Sequence, residues 1–429
     1  MADNIGASTT RTISWRLMPL LGFVYLIAYI DRQNVSYAKL QMADDLGMSE
    51  AVFGLGASLF FIGYFLFELP SNLFLARVGA PKWFARIMVS WGAVTVLLAL
   101  TRDATTFYIL RFLLGLAEAG LFPGVLYALT LWYPQSHRAR AVGMFMLAQP
   151  LANATGATIG GVLLDLDGLW GLHGWQWLFI VTGVPAVLMA PVVLWLLPRG
   201  PDVAPWLAPE QKAWLADELG REHEAVVHPS SGHALRAAID PRVLLLALTF
   251  VGFPLAAYGL SYWLPTVVRD MGVSNTVNGL LNGLLWLLVG VALWLVPRDA
   301  ARRSHSRWHA VVPPLVGAVA LVASVLLPGA PLKFAALALA ACAIFAGQPI
   351  FWTLPPRFLT GAGAAAGFAV INATGNLGGF VAQAVVPRVA TATGNPYAPM
   401  LLLAAGLVVV AAGIFLIERR LPAGGRRQV

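Results

Sequence analysis

An all-α membrane protein, with twelve transmembrane helices in two pseudo-symmetric bundles of six, is the fold class this sequence predicts. Three observations predict it. Hydrophobic residues make up 59% of the 429 positions and charged residues only 11%, with a mean hydropathy of +0.74. A soluble domain carries roughly 25% charged residues, so a chain this apolar lacks the polar side chains to cover a water-facing surface. Second, twelve runs approach the ~20 apolar residues that a helix needs to cross a bilayer. Third, Asn153-Ala-Thr-Gly156 in the fifth run recurs as Asn372-Ala-Thr-Gly375 in the eleventh. Two parallel halves with a site at their interface are a common construction for secondary transporters.

The runs fall at residues 15–36, 51–76, 83–101, 105–131, 140–164 and 175–197, then 242–266, 275–297, 309–327, 332–354, 362–387 and 397–417. The fifth and eleventh are rich in Gly and Ala, which suits close helix approach. Residues 198–240 form the one long polar interval, and Pro209 to Glu224 within it reads as a charged surface helix started by Ala-Pro-Glu. The expected domains are therefore an N-terminal bundle (1–197), a cytoplasmic linker (198–240) and a C-terminal bundle (241–429). Met1 to Thr12 is polar and lacks a short apolar core with a cleavage site, so the first run reads as a retained span and not a signal peptide.

Basic residues set the orientation. With both termini inside, 21 of the 28 Lys and Arg fall on inner segments. Lys39, Arg102, Arg269, Lys333 and Arg388 lie at or near the outer face, and Arg32 and Arg111 lie within the membrane. The net charge of +8 then follows from topology and calls for no nucleic-acid partner. The expected setting is a cell membrane, that of a bacterial inner membrane, crossed many times by a monomer.

Charge inside the membrane is the functional signal, because each such group costs at least about 2.5–3.5 kcal/mol and usually lines an ion or substrate path. Asp31, Arg32, Arg111 and Glu118 all fall in two runs of the first half. A structural salt bridge between helices is the plainer alternative. Tyr29 and Arg32 share a helix face, and a phenol beside a planar guanidinium fork makes a carboxylate clamp. Arg111 and Glu118 share a face but stand about 10 Å apart along it, so each needs a partner from another helix; Asp31 is the expected partner of Arg111. Glu118, flanked by Ala and Gly, is the expected proton carrier. Glu68, beside Pro70 and Asn72, serves either to cap the neighbouring loop or in coupling.

Other chemistry is sparse. The single cysteine, Cys342, excludes an intramolecular disulfide. His223, His228 and His233 are spaced poorly for a metal site on a polar linker, so no metal is expected. No phosphate-binding Gly-rich loop ends in Lys-Ser or Lys-Thr, which argues against an ATP-driven pump, and no Ser, His and acid gather in the apolar runs as a hydrolase would need. An enzyme is not expected.

Six strings carry a family resemblance: YIDRQN at 29–34, FFIGY at 60–64 with ELPSN at 68–72, RFLLGLAEAG at 111–120 with FPG at 122–124, and GWQWLF at 174–179. Together they resemble the major facilitator superfamily, and within it the anion:cation symporters that carry sugar acids, tartrate and phthalate. The resemblance is sharper in the first half. The loop at 77–82 lacks the acidic residue of the general superfamily motif, and the loop at 297–309 matches it poorly. The resemblance implies substrate contacts at Tyr29, Arg32, Tyr64 and Gln149 and proton coupling at Asp31, Arg111 and Glu118. Trp352 and Asn372 lie on spans that resemble the cavity-lining helices of the family. The implied activity is import of a small organic anion by proton symport with alternating access and no cofactor beyond the proton. The alternatives are an exchanger or proton-coupled exporter, and, more remotely, a non-transporting receptor.

Overall fold

A computed structural model describes residues 2–225, 240–302, 307–355 and 361–420. His228, His233, Arg236, Arg303, Arg357, Arg426 and Arg427 lie outside the described residues. Every described regular element is helical. The helices are α1 (Ala2–Asp45), α2 (Glu50–Val78), α3 (Ala80–Leu98), α4 (Ala104–Glu118), α5 (Leu121–Trp132), α6 (Gln135–Met146), α7 (Ala148–Leu164), α8 (Gly174–Leu196) and α9 (Pro209–Ala225). They continue as α10 (Pro241–Phe250), α11 (Gly252–Arg269), α12 (Asn275–Arg302), α13 (Arg307–Leu326), α14 (Ala330–Phe351), α15 (Gly361–Thr393) and α16 (Pro399–Arg420). Nine segments among the described residues are long and apolar enough to cross a membrane by length and composition. The expected runs at 83–101, 140–164 and 362–387 are also helical but are not among these nine.

Three expected spans are each divided in two, and proline explains all three divisions. Pro123, Pro150 and Pro254 each lack the N–H that would bond the carbonyl four residues back, and each ring crowds that carbonyl. The divisions fall at Ala119-Gly120, Leu147 and Val251. At Leu147 and Val251 the backbone stays helical (φ −63° and −50°), so the chain only bends. At Ala119-Gly120 it leaves the helix altogether: Ala119 has ψ 134° and Gly120 has φ 90°. Asp103 starts α4 by accepting the N–H of Thr106 at 2.8 Å, and that bond holds its carboxyl below the usual carboxylate range.

The chain forms two compact units, one of residues 1–38 and 62–227, the other of 39–61 and 228–429. Each unit packs its Gly-rich helix in the same way. In the first, a Cβ on Gly156 would lie 3.3 Å from Ile30 Cα, and one on Gly160 would lie 2.8 Å from the Tyr37 ring. In the second, a Cβ on Gly375 would lie 2.4 Å from the Phe250 ring, and one on Gly379 would lie 2.7 Å from Phe61 and 2.9 Å from Tyr258. The repeated sequence is therefore a repeated helix contact: α7 onto α1, and α15 onto α10 and α11. Small residues permit such approach where apolar lipid supplies no driving force between helices. Helix α9, the expected surface helix, packs on the first unit. Its Glu222 accepts from Gln135 N at 2.5 Å and Arg138 Nη2 at 3.2 Å, and Trp214 covers Gly6.

Candidate functional site

The first unit gathers most of the expected site. Arg32 extends from α1 to Glu118 at the end of α4, and the two form an ion pair. The guanidinium lies over two rings, Tyr29 at 5.1 Å and Tyr64 at 5.4 Å. Tyr64 reaches it because Gly63 lets α2 press on α4; a Cβ there would stand 2.3 Å from the carbonyl oxygen of Phe112. Glu118 is 1% exposed. One of its oxygens takes Arg32, while Oε2 is buried with no hydrogen-bond partner among the described residues.

Asp31 faces the other way round α1 and is fully buried. Asn34 Nδ2 donates to its Oδ1 and Thr95 Oγ1 to its Oδ2, both at 3.0 Å. Asn34 also donates to Thr182 at 3.0 Å, which ties α1 to α8. Arg111 is buried on α4, and Asp31 lies within Coulombic reach of Glu118, Arg111 and Arg32. Four charges, two of each sign, thus share one low-dielectric region, where each interaction is far stronger than in water. The expected Asp31–Arg111 relation is present as electrostatic proximity. The direct clamp of Asp31 is instead hydroxyl and amide.

Glu68 is half-buried within Coulombic reach of Arg32. It lies inside α2, which runs on past it to Val78. Gln149 is half-buried beside Pro150 at the start of α7, and the neighbouring Asn153 accepts from Gln33 of α1 at 3.3 Å. Trp352 and Asn372 belong to the second unit. Trp352 follows α14 and packs on Phe250 at 4.8 Å and Phe368 at 5.5 Å between ring centres. Asn372 is half-buried on α15.

Two features escaped sequence reasoning. Lys39, expected near the outer face, is 2% exposed in the second unit. It pairs with Glu50 at 2.7 Å, donates to Thr266 at 3.0 Å and lies 3.6 Å over the Trp263 ring. Its place seven residues beyond Arg32, on the same face of α1, was the available signal. The polar set Asn34, Thr95 and Thr182 was hidden because short neutral side chains are ordinary in apolar helices.

The comparisons agree with this architecture. The model of the Major Facilitator Superfamily matches residues 21–383. A quinolone resistance transporter of Acinetobacter baumannii is 47% identical over 390 residues, covering 90% of this chain and 89% of that protein. A protein assigned as a tartrate transporter in Agrobacterium vitis is 39% identical over 421 residues, 98% of this chain and 93% of its own. The fold matches an inward-facing, unoccupied bacterial homologue of the human lysosomal transporter Spinster, with a TM-score of 0.79, 18% identity, and coverage of 96% and 98%. The chain belongs to the major facilitator superfamily and is a multi-pass membrane transporter, not an enzyme.

Proposed function

We propose that the protein imports a small organic anion by proton symport, with Arg32 as the anion clamp and Glu118 as the proton-binding group. One observation carries the reading: the fork that would hold a substrate carboxylate is taken by Glu118. Protonating Glu118 removes the charge that holds Arg32. Breaking a buried pair on one side alone costs about 3–5 kcal/mol, because the other charge is left uncompensated. A proton on Glu118 without an anion on Arg32 is therefore unfavourable, and so is the reverse. Together they satisfy both groups. An interdependence of even ~3 kcal/mol is about a 150-fold coupling, which suppresses proton leak and favours joint transport. Asp31 and Arg111 balance the local charge, and Glu68 lies close enough to Arg32 to respond to it.

The second bundle, with Trp352 and Asn372, supplies neutral groups that shape selectivity. The 198–240 segment links the bundles on the cytoplasmic side, the termini are cytoplasmic, and the membrane is a bacterial inner membrane. The 39% relation to a protein assigned as a tartrate transporter supports a carboxylate substrate. The 47% relation to a quinolone resistance transporter favours a second reading, proton-coupled export.

A thermal-shift screen over tartrates, aldonates, uronates and aromatic acids identifies a ligand. Proteoliposomes loaded at high pH and diluted into low pH then separate the readings. Import requires accumulation of that acid that collapses with a protonophore. Accumulation only under the opposite gradient would establish export.

A further inference from the structure

Glu118 is the last residue of α4, and the chain breaks helical geometry immediately after it. Pro123 has no N–H to offer the carbonyl of Ala119, four residues back. Ser71 of α2 supplies the missing donor: its Oγ donates to Ala119 O at 2.7 Å. Trp83 of α3 in turn donates its indole N–H to Ser71 Oγ at 2.9 Å. Ser71 is fully buried, as is Ala119, so no water competes for these bonds. Gly120 completes the arrangement. Its φ of 90° is the left-handed region, and a Cβ there would fall 2.2 Å from Ser71 Oγ. Pro70 precedes Ser71 and deprives α2 of one of its own hydrogen bonds. Three helices thus meet on one carbonyl, next in sequence to the carboxylate.

From this we infer that Ser71 is a positioning residue for Glu118, holding the end of α4 so that the carboxylate faces Arg32, with Trp83 fixing the hydroxyl. The inference rests on the reading of Glu118 as the proton-binding group. A helix C-terminus carries about half a negative charge, so where that end lies relative to the carboxylate sets how readily a proton is taken. The charged groups facing Glu118 are Arg32 and Asp31 from α1 and Arg111 from α4 itself; Glu68 of α2 acts on Arg32. Ser71 and Trp83 add no charge and act only through the backbone.

Infrared titration of the purified full-length protein in lipid nanodiscs tests this without a substrate. The carboxyl band lost in Glu118→Gln marks the group. Ser71→Ala is expected to move its midpoint by about half a pH unit or more. Trp83→Phe, which keeps the ring and removes the N–H, is expected to move it less and in the same direction. A merely structural role would lower the melting temperature and leave the midpoint in place. If Ser71→Ala does not fold, Trp83→Phe decides alone. A wild-type midpoint in the folded variants overturns the positioning role while leaving Glu118 as the proton site. A spectrum that loses no band in Glu118→Gln overturns the reading of Glu118 and the inference with it.

Discussion

Arg32 does two jobs with one fork. It neutralises Glu118 in the structure, and in the proposed cycle it receives the substrate carboxylate. Arg32→Ala is expected to abolish binding of the anion, because it leaves both the anion and Glu118 unpaired; losing a charged hydrogen-bond partner costs about 1.5–3 kcal/mol or more. Arg32→Lys is expected to restore only part, since an ammonium keeps the charge but lacks the planar pair of donors. Calorimetric titration of purified variants measures this, and wild-type affinity in Arg32→Ala would remove the clamp. The candidates themselves were legible in sequence because a charge inside an apolar run is conspicuous. Their pairing was not. Helical spacing showed that Arg111 and Glu118 cannot meet along α4, yet spacing within one helix holds no information on which residue of another helix arrives. The contact of Arg32 with Glu118 depends on the packing that Gly63 and the broken end of α4 create.

Glycine and proline govern the elements. Gly375 meets the Phe250 ring at 2.4 Å and Gly156 meets Ile30 backbone at 3.3 Å, counting from an added Cβ. Forcing extra atoms into packing of this kind costs about 1–3 kcal/mol. Gly375→Val and Gly156→Val are each expected to lower the melting temperature of detergent-solubilised protein, whereas Gly143→Val, where a Cβ meets nothing within 4 Å, is expected to leave it close to wild type. Equal changes at all three positions would mean that close approach is not what Gly375 and Gly156 supply. Twelve helical regions were legible because apolar length is a strong signal. The division of three of them was not drawn, although Pro123, Pro150 and Pro254 stood in the sequence. Membrane helices often tolerate proline when neighbours satisfy the freed carbonyl. Whether a neighbour such as Ser71 does so is a tertiary fact, and so is the choice between a bend and a full break.

At the scale of the molecule, the ionisable site candidates fall in one unit and the neutral ones in the other. Asp31, Arg32, Glu68, Arg111 and Glu118 belong to the first unit, and Trp352 and Asn372 to the second. Substituting Trp352 or Asn372 is therefore expected to change which acid is preferred, or to weaken uptake, without moving the pH profile of residual transport. Uptake of several acids against pH in each variant checks this; a displaced pH profile with unchanged preference would contradict the division. The two-bundle plan was legible from the NATG repeat because the same packing problem, a Gly-rich helix against the first helix of its half, is solved twice. The burial of Lys39 was not legible, because a position near the end of an apolar run does not reveal a cage of Glu50, Thr266 and Trp263.

The central claim is that one proton on Glu118 frees Arg32 for one anion. If so, binding takes up a proton, and affinity rises as pH falls, by at most about tenfold per pH unit. Titrating the identified acid into purified protein, in buffers of different ionisation enthalpy at one pH, counts that proton directly. The account expects close to one proton taken up on binding to wild type above the titration midpoint of Glu118, and none on binding to Glu118→Gln. Binding without proton uptake in wild type, or with undiminished uptake in Glu118→Gln, would contradict it.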